Sequence, residues 1–205
     1  MIKNVLFDLG GVLIDLDVNL SLKAMYALTD GNVSRTHITA GGLLGGHDSK
    51  LINKYQVGAV TTDEFVSAVL SSCKPGTTRE DVEMAWFAML LGIDKEKRNL
   101  LKRLKERNMG IYVLSNINEL HVDWVMKYCP ELQYADGLYF SNEIHLAKPD
   151  RRCYELVVRE SGIKPSETLY IDDLLPNINA GMEAGFRCLH ASDSSWVNEV
   201  EKMLL

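Results

Sequence analysis

The sequence lacks the features that would place the protein in a membrane, in an oxidising compartment or on nucleic acid. No apolar run approaches the length of a bilayer span, and Asp8 interrupts the first apolar run with no cleavage site after it. The 4 cysteines form no C-x-x-C pair and no zinc-binding spacing. Acidic residues outnumber basic ones by 28 to 22, and no Lys/Arg-rich run is present. These absences predict a cytoplasmic protein with free thiols that binds neither nucleic acid nor membranes.

Short apolar runs that end in a polar residue predict a parallel sheet buried on both faces. Five such runs, rich in Val, Ile, Leu and Tyr, lie at 4–8, 110–116, 137–143, 168–173 and 186–191. Helical patterns separate them, notably at 94–108 and 149–162. This alternation predicts an α/β fold, a doubly wound parallel sheet with helices on both faces.

The stretch from residue 16 to residue 92 differs, because it has helical patterns and no convincing strand. Helix-like segments lie at 17–30, 47–56, 61–73 and 79–90. Its GGLLGG segment (41–46) lacks the Lys-Ser/Thr pair of a phosphate loop and reads as a connection, while His47 is a candidate for contact with substrate. We therefore predict an α/β core of residues 1–15 and 93–205, with an inserted helical cap domain of residues 16–92 over the mouth of the sheet.

Reactive side chains collect at the carboxyl ends of these runs, where open α/β sheets bind their ligands. They are Asp8, Ser115, Asn116, Lys148, Asp172 and Asp173. Three carboxylates held close together would repel one another unless a cation lay among them, and oxygen ligands select a hard ion such as Mg²⁺. The lysine, the serine and helix-start amides suit the oxygens of a phosphate group. The pattern predicts phosphoryl chemistry on a small molecule.

Four short motifs resemble those of the haloacid dehalogenase-like (HAD) superfamily, in its subgroup with a helical cap inserted after the first motif. They are FDLGGVL, VLSN, AKP and YIDDLLPNINAG, and together they span the chain in order. The sequence looks most like the sugar-phosphate phosphatases of this superfamily, such as α-glucose-1-phosphate phosphatases, and more distantly like the phosphatase domain of soluble epoxide hydrolases. The resemblance implies a Mg²⁺-dependent phosphatase that acts on a small phosphorylated metabolite, with a sugar phosphate expected. It implies nothing about oligomeric state.

The resemblance also implies a role for each motif residue. Asp8 would attack phosphorus and form an aspartyl-phosphate that water hydrolyses. Lys148 would neutralise charge on both the nucleophile and the phosphoryl group. The metal would bind Asp8, the backbone carbonyl of Gly10 and Asp173, with Asp172 adjacent or also ligating. The phosphate would bind the Ser115 hydroxyl, the Asn116 amide and Lys148. Asn177 would orient the acidic residues.

Gly10 departs from the pattern, because most phosphatases of the superfamily have a second aspartate there. That acid protonates the leaving oxygen and later activates water, which is worth about 10²–10⁴-fold in rate. Three explanations remain open. The leaving group needs little protonation, as in a sugar 1-phosphate or an acyl phosphate; another acid substitutes, with Asp15 and Asp17 as candidates; or the protein is a weak phosphatase that mainly binds phosphate and metal.

Two other reactions of the superfamily fit the sequence less well. Dehalogenases also lack the second acid, but they need no metal and have Ser and Asn in place of Asp172 and Asp173. Phosphomutases of this fold rely on the aspartate that Gly10 replaces.

Overall fold

The computed structural model describes residues 1–29 and 50–204. The GGLLGG segment, His47 and the first residues of the helix expected at 47–56 lie outside the described residues. In chain order the elements are β1 (Asn4–Phe7), β2 (Asp15–Leu16), α1 (Val18–Ala27), α2 (Lys50–Gln56), α3 (Thr62–Leu70), α4 (Arg79–Phe87), β3 (Leu90–Gly92), α5 (Lys95–Glu106), β4 (Gly110–Ser115), α6 (Glu119–Tyr128), β5 (Gly137–Phe140), α7 (Ser141–Ile144), α8 (Arg151–Ser161), β6 (Thr168–Asp172), α9 (Leu175–Glu183), β7 (Arg187–His190) and α10 (Trp196–Leu204).

Five strands form one parallel sheet in the order β5-β4-β1-β6-β7. The central strand β1 shows why its sequence is apolar after Asn4. Val5 and Phe7 pack on one face of the sheet, and Leu6 packs on the other. Because both faces are covered, these three residues are all buried and show no polar alternation. The predicted α/β fold is confirmed.

Helices cover the two faces of the sheet in two groups. Helices α5, α6 and α10 pack on the face that holds Phe7, through residues such as Leu101, Val125 and Val200. Helices α8 and α9 pack on the opposite face, through Tyr154 and Ile178. The polar residues of the four motifs lie at or just beyond the carboxyl ends of the strands.

The insertion after β1 has its own hydrophobic cluster. Helices α1 to α4 contribute Met25, Tyr55, Phe65 and Trp86 to it, and Leu120 of α6 joins them from the α/β part. The expectation of no strand between 16 and 92 was wrong, because β2 and β3 pair antiparallel at the two ends of the insertion. Strands of two and three residues are too short to give an alternating pattern.

Two remaining expectations can be compared with the structure. All four cysteines are free, as expected. Among the described residues, no helix is both long enough and apolar enough to cross a bilayer.

Candidate active site

The topology brings the first, second and fourth motifs together. Strand β1 lies between β4 and β6, so Asp8, which follows β1, lies beside Ser115 and Asp172, the last residues of the two neighbouring strands. The Asp8 amide donates to the Ile171 carbonyl at 2.8 Å, which continues the β1–β6 pairing by one residue. The Asp8 backbone is therefore fixed by the sheet, while its side chain projects beyond the sheet edge.

Lys148 lies buried between two carboxylates. Its Nζ is 2.9 Å from Asp8 Oδ1 and 2.6 Å from Asp172 Oδ2. The side-chain amide of Asn116 holds the lysine backbone, since it accepts from the Lys148 N–H at 2.8 Å and donates to the Lys148 carbonyl at 2.9 Å. The second and third motifs are thus joined directly, and the side chain of Asn116 orients the lysine, a role that its sequence position did not predict.

Asp172 is fully buried and accepts four hydrogen bonds from the protein. Its Oδ2 accepts from Lys148 and from the Tyr170 hydroxyl at 2.5 Å. Its Oδ1 accepts from the Leu174 amide and from the Asn177 side chain, each at 2.9 Å. Each oxygen already has two donors, so Asp172 is held rigidly and in turn orients the lysine. The expected role of Asn177 in orienting the acidic residues agrees with its contact here.

The carboxylates of Asp8, Asp172 and Asp173 crowd one another, with ligand atoms that all lie within 4.8 Å. Burial, together with the Asp172 charge, raises the pKa of Asp8 to about 7 even though Lys148 opposes the shift. Burial and the same neighbour also raise the pKa of Asp173. One ammonium group leaves the three acids with excess negative charge. An oxygen-only donor set with uncompensated charge fits a divalent cation such as Mg²⁺.

The two oxygens of Asp8 differ in their partners. Oδ1 accepts from the Leu9 amide at 2.6 Å and faces Lys148. Oδ2 has no hydrogen-bond partner among the described residues, so it is the oxygen available to a substrate or a metal. Asp8 is thus presented with one oxygen occupied and one free.

Two consecutive glycines shape the turn after Asp8. Gly11 has φ +80°, and a Cβ at this position would lie 2.6 Å from Asp173 Oδ2. Glycine therefore permits both the backbone conformation and the approach of Asp173. At Gly10, a Cβ would lie 3.0 Å from Leu16 Cδ1, so a side chain at this position would require the end of the Leu16 side chain to shift.

The two acids proposed as substitutes for the one missing at Gly10 have other partners. Asp15 accepts from the buried Lys97, and Asp17 caps helix α1 by accepting from the Asn19 amide at 3.0 Å. Asp15 lines a cavity of about 340 Å³ that also touches Asp173, whereas Gly10 lines a different cavity. These contacts favour structural roles at the base of the insertion for both residues.

A second cavity, of about 160 Å³, lies between the sheet edge and the insertion. From the sheet side it is lined by Gly10, Ser115 and Asn116, and from the insertion by mainly apolar side chains together with Gln56. It thus joins the phosphate-binding candidates to a small, largely apolar chamber. Among the described residues, neither Asp15 nor Asp17 lines it.

Comparison with known proteins agrees with this geometry. The sequence matches the haloacid dehalogenase-like hydrolase family over residues 2–185, and the chain belongs to this family. A D-ribitol-5-phosphate phosphatase from Bacteroides thetaiotaomicron is 28% identical over 217 aligned positions, which cover 100% of this chain and 99% of the relative.

Two solved structures are similar over nearly the whole chain. A HAD family enzyme from Bacteroides thetaiotaomicron, crystallised with magnesium and inorganic phosphate, is 29% identical with a TM-score of 0.80, and the match covers 93% of this chain and 94% of that one. A HAD-like family hydrolase from Porphyromonas gingivalis is 26% identical with a TM-score of 0.83, covering 100% and 98%. The predicted family and fold class are confirmed, and the predicted enzyme class, a phosphatase of this family, agrees with these relatives.

Proposed function

We propose that the protein is a Mg²⁺-dependent phosphatase that hydrolyses a small sugar or polyol monophosphate through an aspartyl-phosphate at Asp8. The observation that carries the proposal is the arrangement of three crowded carboxylates around one buried ammonium group, at the sheet edge where Ser115 also lies. Such a site has too much negative charge to bind a phosphate dianion unless a cation is present. The magnesium and phosphate in the related structure support this interpretation.

The proposed metal ligands are Asp8, the Gly10 carbonyl and Asp173. Asp172 contributes chiefly by holding Lys148, because protein donors already occupy both of its oxygens. A bound Mg²⁺ would offset the repulsion between the Asp8 carboxylate and the phosphate and would help to align them.

The proposed reaction has two displacements at phosphorus. Asp8 Oδ2 forms a bond to phosphorus while the bond to the leaving oxygen breaks, and that oxygen takes a proton from solvent water, since Gly10 has no side-chain acid. Water next attacks the aspartyl-phosphate, which releases inorganic phosphate and restores the carboxylate. Ser115 and Lys148 bind the phosphoryl oxygens in both steps. Lys148 also favours the ionised form of Asp8, because it opposes the effect of burial on the pKa of that carboxyl group.

A panel of phosphate esters, assayed for phosphate release with Mg²⁺ and with EDTA, tests the proposal. Ribitol 5-phosphate, hexose 6-phosphates, glucose 1-phosphate and acetyl phosphate cover poor and good leaving groups. We expect Mg²⁺-dependent turnover that Asp8→Asn abolishes. A marked preference for glucose 1-phosphate and acetyl phosphate would show that Gly10 restricts the enzyme to easy leaving groups.

Inactivity on the whole panel would contradict the phosphatase proposal. If the wild type binds Mg²⁺ and phosphate but releases no more phosphate than Asp8→Asn does, the protein is a phosphate- and metal-binding member of the family. The absence of a side-chain acid at Gly10 is the observation that would favour that outcome.

A further inference from the structure

We propose that Gln56, at the end of helix α2, binds a hydroxyl group of the leaving group and so selects uncharged, hydroxylated substrates. This inference rests on the proposed function and concerns the other half of the same substrate. The phosphoryl group is accounted for by residues of the sheet edge, whereas no residue discussed so far contacts the part that leaves. The 160 Å³ cavity beside Ser115 is where that part would lie.

A contact with Ser141 of α7 fixes the position of the Gln56 backbone. The Ser141 hydroxyl accepts from the backbone amide of Ile117 at 2.9 Å. It donates to the backbone carbonyl oxygen of Gln56 at 2.5 Å. One hydroxyl therefore joins the loop after β4 to the end of α2. Gln56 is thus held next to the loop that carries the candidate phosphate ligands.

The next two residues of the chain are held in the same way. His145 Nδ1 lies 2.9 Å from the Val57 carbonyl oxygen. Gly58 has φ +67°, and a Cβ there would lie 2.5 Å from the Asn142 carbonyl oxygen. A side chain on Gly58 would push the two backbones apart. These contacts hold residues 56–58 against α7 and His145, and of the three Gln56 lines the cavity.

Hydrogen-bond accounting singles out Gln56 among the polar side chains that line this cavity. Asn116 uses both the nitrogen and the oxygen of its side-chain amide to bind the backbone of Lys148. Asn118 accepts from the Trp86 indole N–H and from the His121 amide, and its Nδ2 faces His121 Nδ1. These amides have little capacity left for a substrate.

Both ring nitrogens of His121 also have hydrogen-bond partners. Its Nε2 lies 3.2 Å from the Trp86 carbonyl oxygen and its Nδ1 faces Asn118. Of the polar side chains that line this cavity, those of Ser115 and Gln56 make no hydrogen bond to another described residue. Ser115 lies at the sheet edge with the phosphate-binding candidates, so Gln56 remains for the leaving group.

The chemistry of Gln56 and its surroundings defines the class of leaving group. A carboxamide both donates and accepts, which matches a hydroxyl group, and it has no charge with which to bind a second phosphate or a carboxylate. Ile52, Trp86 and Met89 supply apolar surface to the same cavity, suited to the C–H groups of a polyol or sugar. A small hydroxylated monoester fits both features.

Kinetics of Gln56→Ala with two substrates test this inference. Ribitol 5-phosphate has a hydroxylated leaving group, and acetyl phosphate has a leaving group without a hydroxyl. One neutral hydrogen bond predicts a roughly 3- to 10-fold fall in kcat/KM for ribitol 5-phosphate, mainly through KM, with less than about 2-fold change for acetyl phosphate. Gln133→Ala, at an exposed position away from the cavity, is the matched control and should change neither.

Each alternative outcome has a distinct meaning. An equal fall for both substrates would overturn the inference, because Gln56 would then support the phosphoryl site. No change for either would also overturn it. If the wild type hydrolyses acetyl phosphate but no hydroxylated ester, the inference fails together with the proposed sugar or polyol substrate, while the Mg²⁺-dependent phosphatase activity stands. If the wild type hydrolyses neither, the proposed function fails and takes the inference with it.

Discussion

At the scale of single residues, the site depends on one ammonium group shared between two buried carboxylates. Lys148 contacts both Asp8 and Asp172, and its own pKa is raised because these carboxylates outweigh the effect of burial. Lys148→Met should lower kcat by more than about 100-fold, since the phosphoryl group loses its cationic partner. The loss of a buried ion-pair partner should also cost about 3–5 kcal/mol of unfolding free energy, which protonation of Asp8 would reduce.

Lys102→Met supplies the control for this change. Lys102 pairs with Glu106 at 3.9 Å on the exposed face of α5. Such a surface pair is worth at most about 1 kcal/mol. Equal kcat values for the two variants in phosphate-release assays would contradict the role given to Lys148.

Gly11→Ala tests whether Asp173 must approach the nucleophile turn closely. A Cβ at Gly11 meets Asp173 Oδ2 at 2.6 Å, whereas Gly76, with φ +89°, has no atom within 4 Å of its Cβ position. Both alanine variants should lose about 1 kcal/mol or more of unfolding free energy from backbone strain. Only Gly11→Ala should raise the Mg²⁺ concentration needed for half-maximal activity, by about 10-fold or more. The same Mg²⁺ requirement in both variants would exclude Asp173 as a ligand.

The identity of the reactive residues is the part of the site that could be predicted from the sequence. Asp8, Ser115 and Lys148 were identified because reactive side chains follow apolar runs. The contribution of Tyr170 could have been found, since Tyr170 and Asp172 share one face of a strand by their spacing of two. The bracing of Lys148 by the Asn116 side chain could not, because it depends on a contact between residues 32 positions apart.

At the scale of elements, helix α4 of the insertion is joined to α6 through His121. The Nε2 atom of His121 faces the Trp86 carbonyl oxygen, which can only accept, so Nε2 carries the proton. The Nδ1 atom accepts from the side-chain amide of Asn118. Protonation of Nδ1 would set two donors against each other. Burial lowers the pKa of His121 from 6.5 to about 4, although the Trp86 carbonyl opposes the shift.

This network predicts a pH-dependent loss of stability. The unfolded chain binds more protons than the folded protein between pH 6.5 and about 4, so the contribution of His121 is fully present above pH 6.5 and is lost as the pH falls. We expect about 3 kcal/mol less unfolding free energy by pH 4 from this residue.

The measurement is denaturant unfolding of wild type and His121→Gln across this range. Glutamine retains one donor and one acceptor but does not titrate. The difference between the two proteins isolates His121 from Asp8, whose raised pKa acts in the opposite direction. Parallel curves for the two proteins would contradict the assignment of a buried neutral imidazole.

The prediction of elements succeeded where a long pattern was available. The five strands of the sheet have apolar runs bounded by polar residues, and the amphipathic helix α5 repeats Leu100, Leu101 and Leu104 on one face. Strands β2 and β3 were missed because they exist only through pairing with each other. Helix α6 begins soon after the run at 110–116, and Asn118 at its start, which accepts from the His121 amide, is a recognisable cap.

At the scale of the whole molecule, the carboxylate cluster links metal binding to stability. The folded protein holds Asp8 and Asp173 close together, whereas the unfolded chain does not, so Mg²⁺ should bind the folded state selectively. At 100 times its Kd, such a ligand adds about 2.7 kcal/mol to the unfolding free energy. Thermal unfolding of wild type and Asp173→Asn, with Mg²⁺ and with EDTA, should show a Mg²⁺-dependent rise in Tm that the variant largely loses.

The order of the motifs along the chain predicted the family and the α/β architecture. The division into residues 1–15 and 93–205 against 16–92 remains a proposal. Leu120 of α6 packs in the hydrophobic cluster of the insertion, so the contacts do not follow that boundary strictly. A sequence pattern assigns each residue to one segment and cannot show that a side chain completes the core of another.

The central claim is that Asp8 receives the phosphoryl group, and trapping that group tests it most directly. Acid quenching during turnover of acetyl phosphate with Mg²⁺, followed by peptide mass spectrometry, should find phosphate on the peptide that contains Asp8 and none in Asp8→Asn. Phosphate on a different residue, or undiminished turnover by Asp8→Asn, would contradict the account.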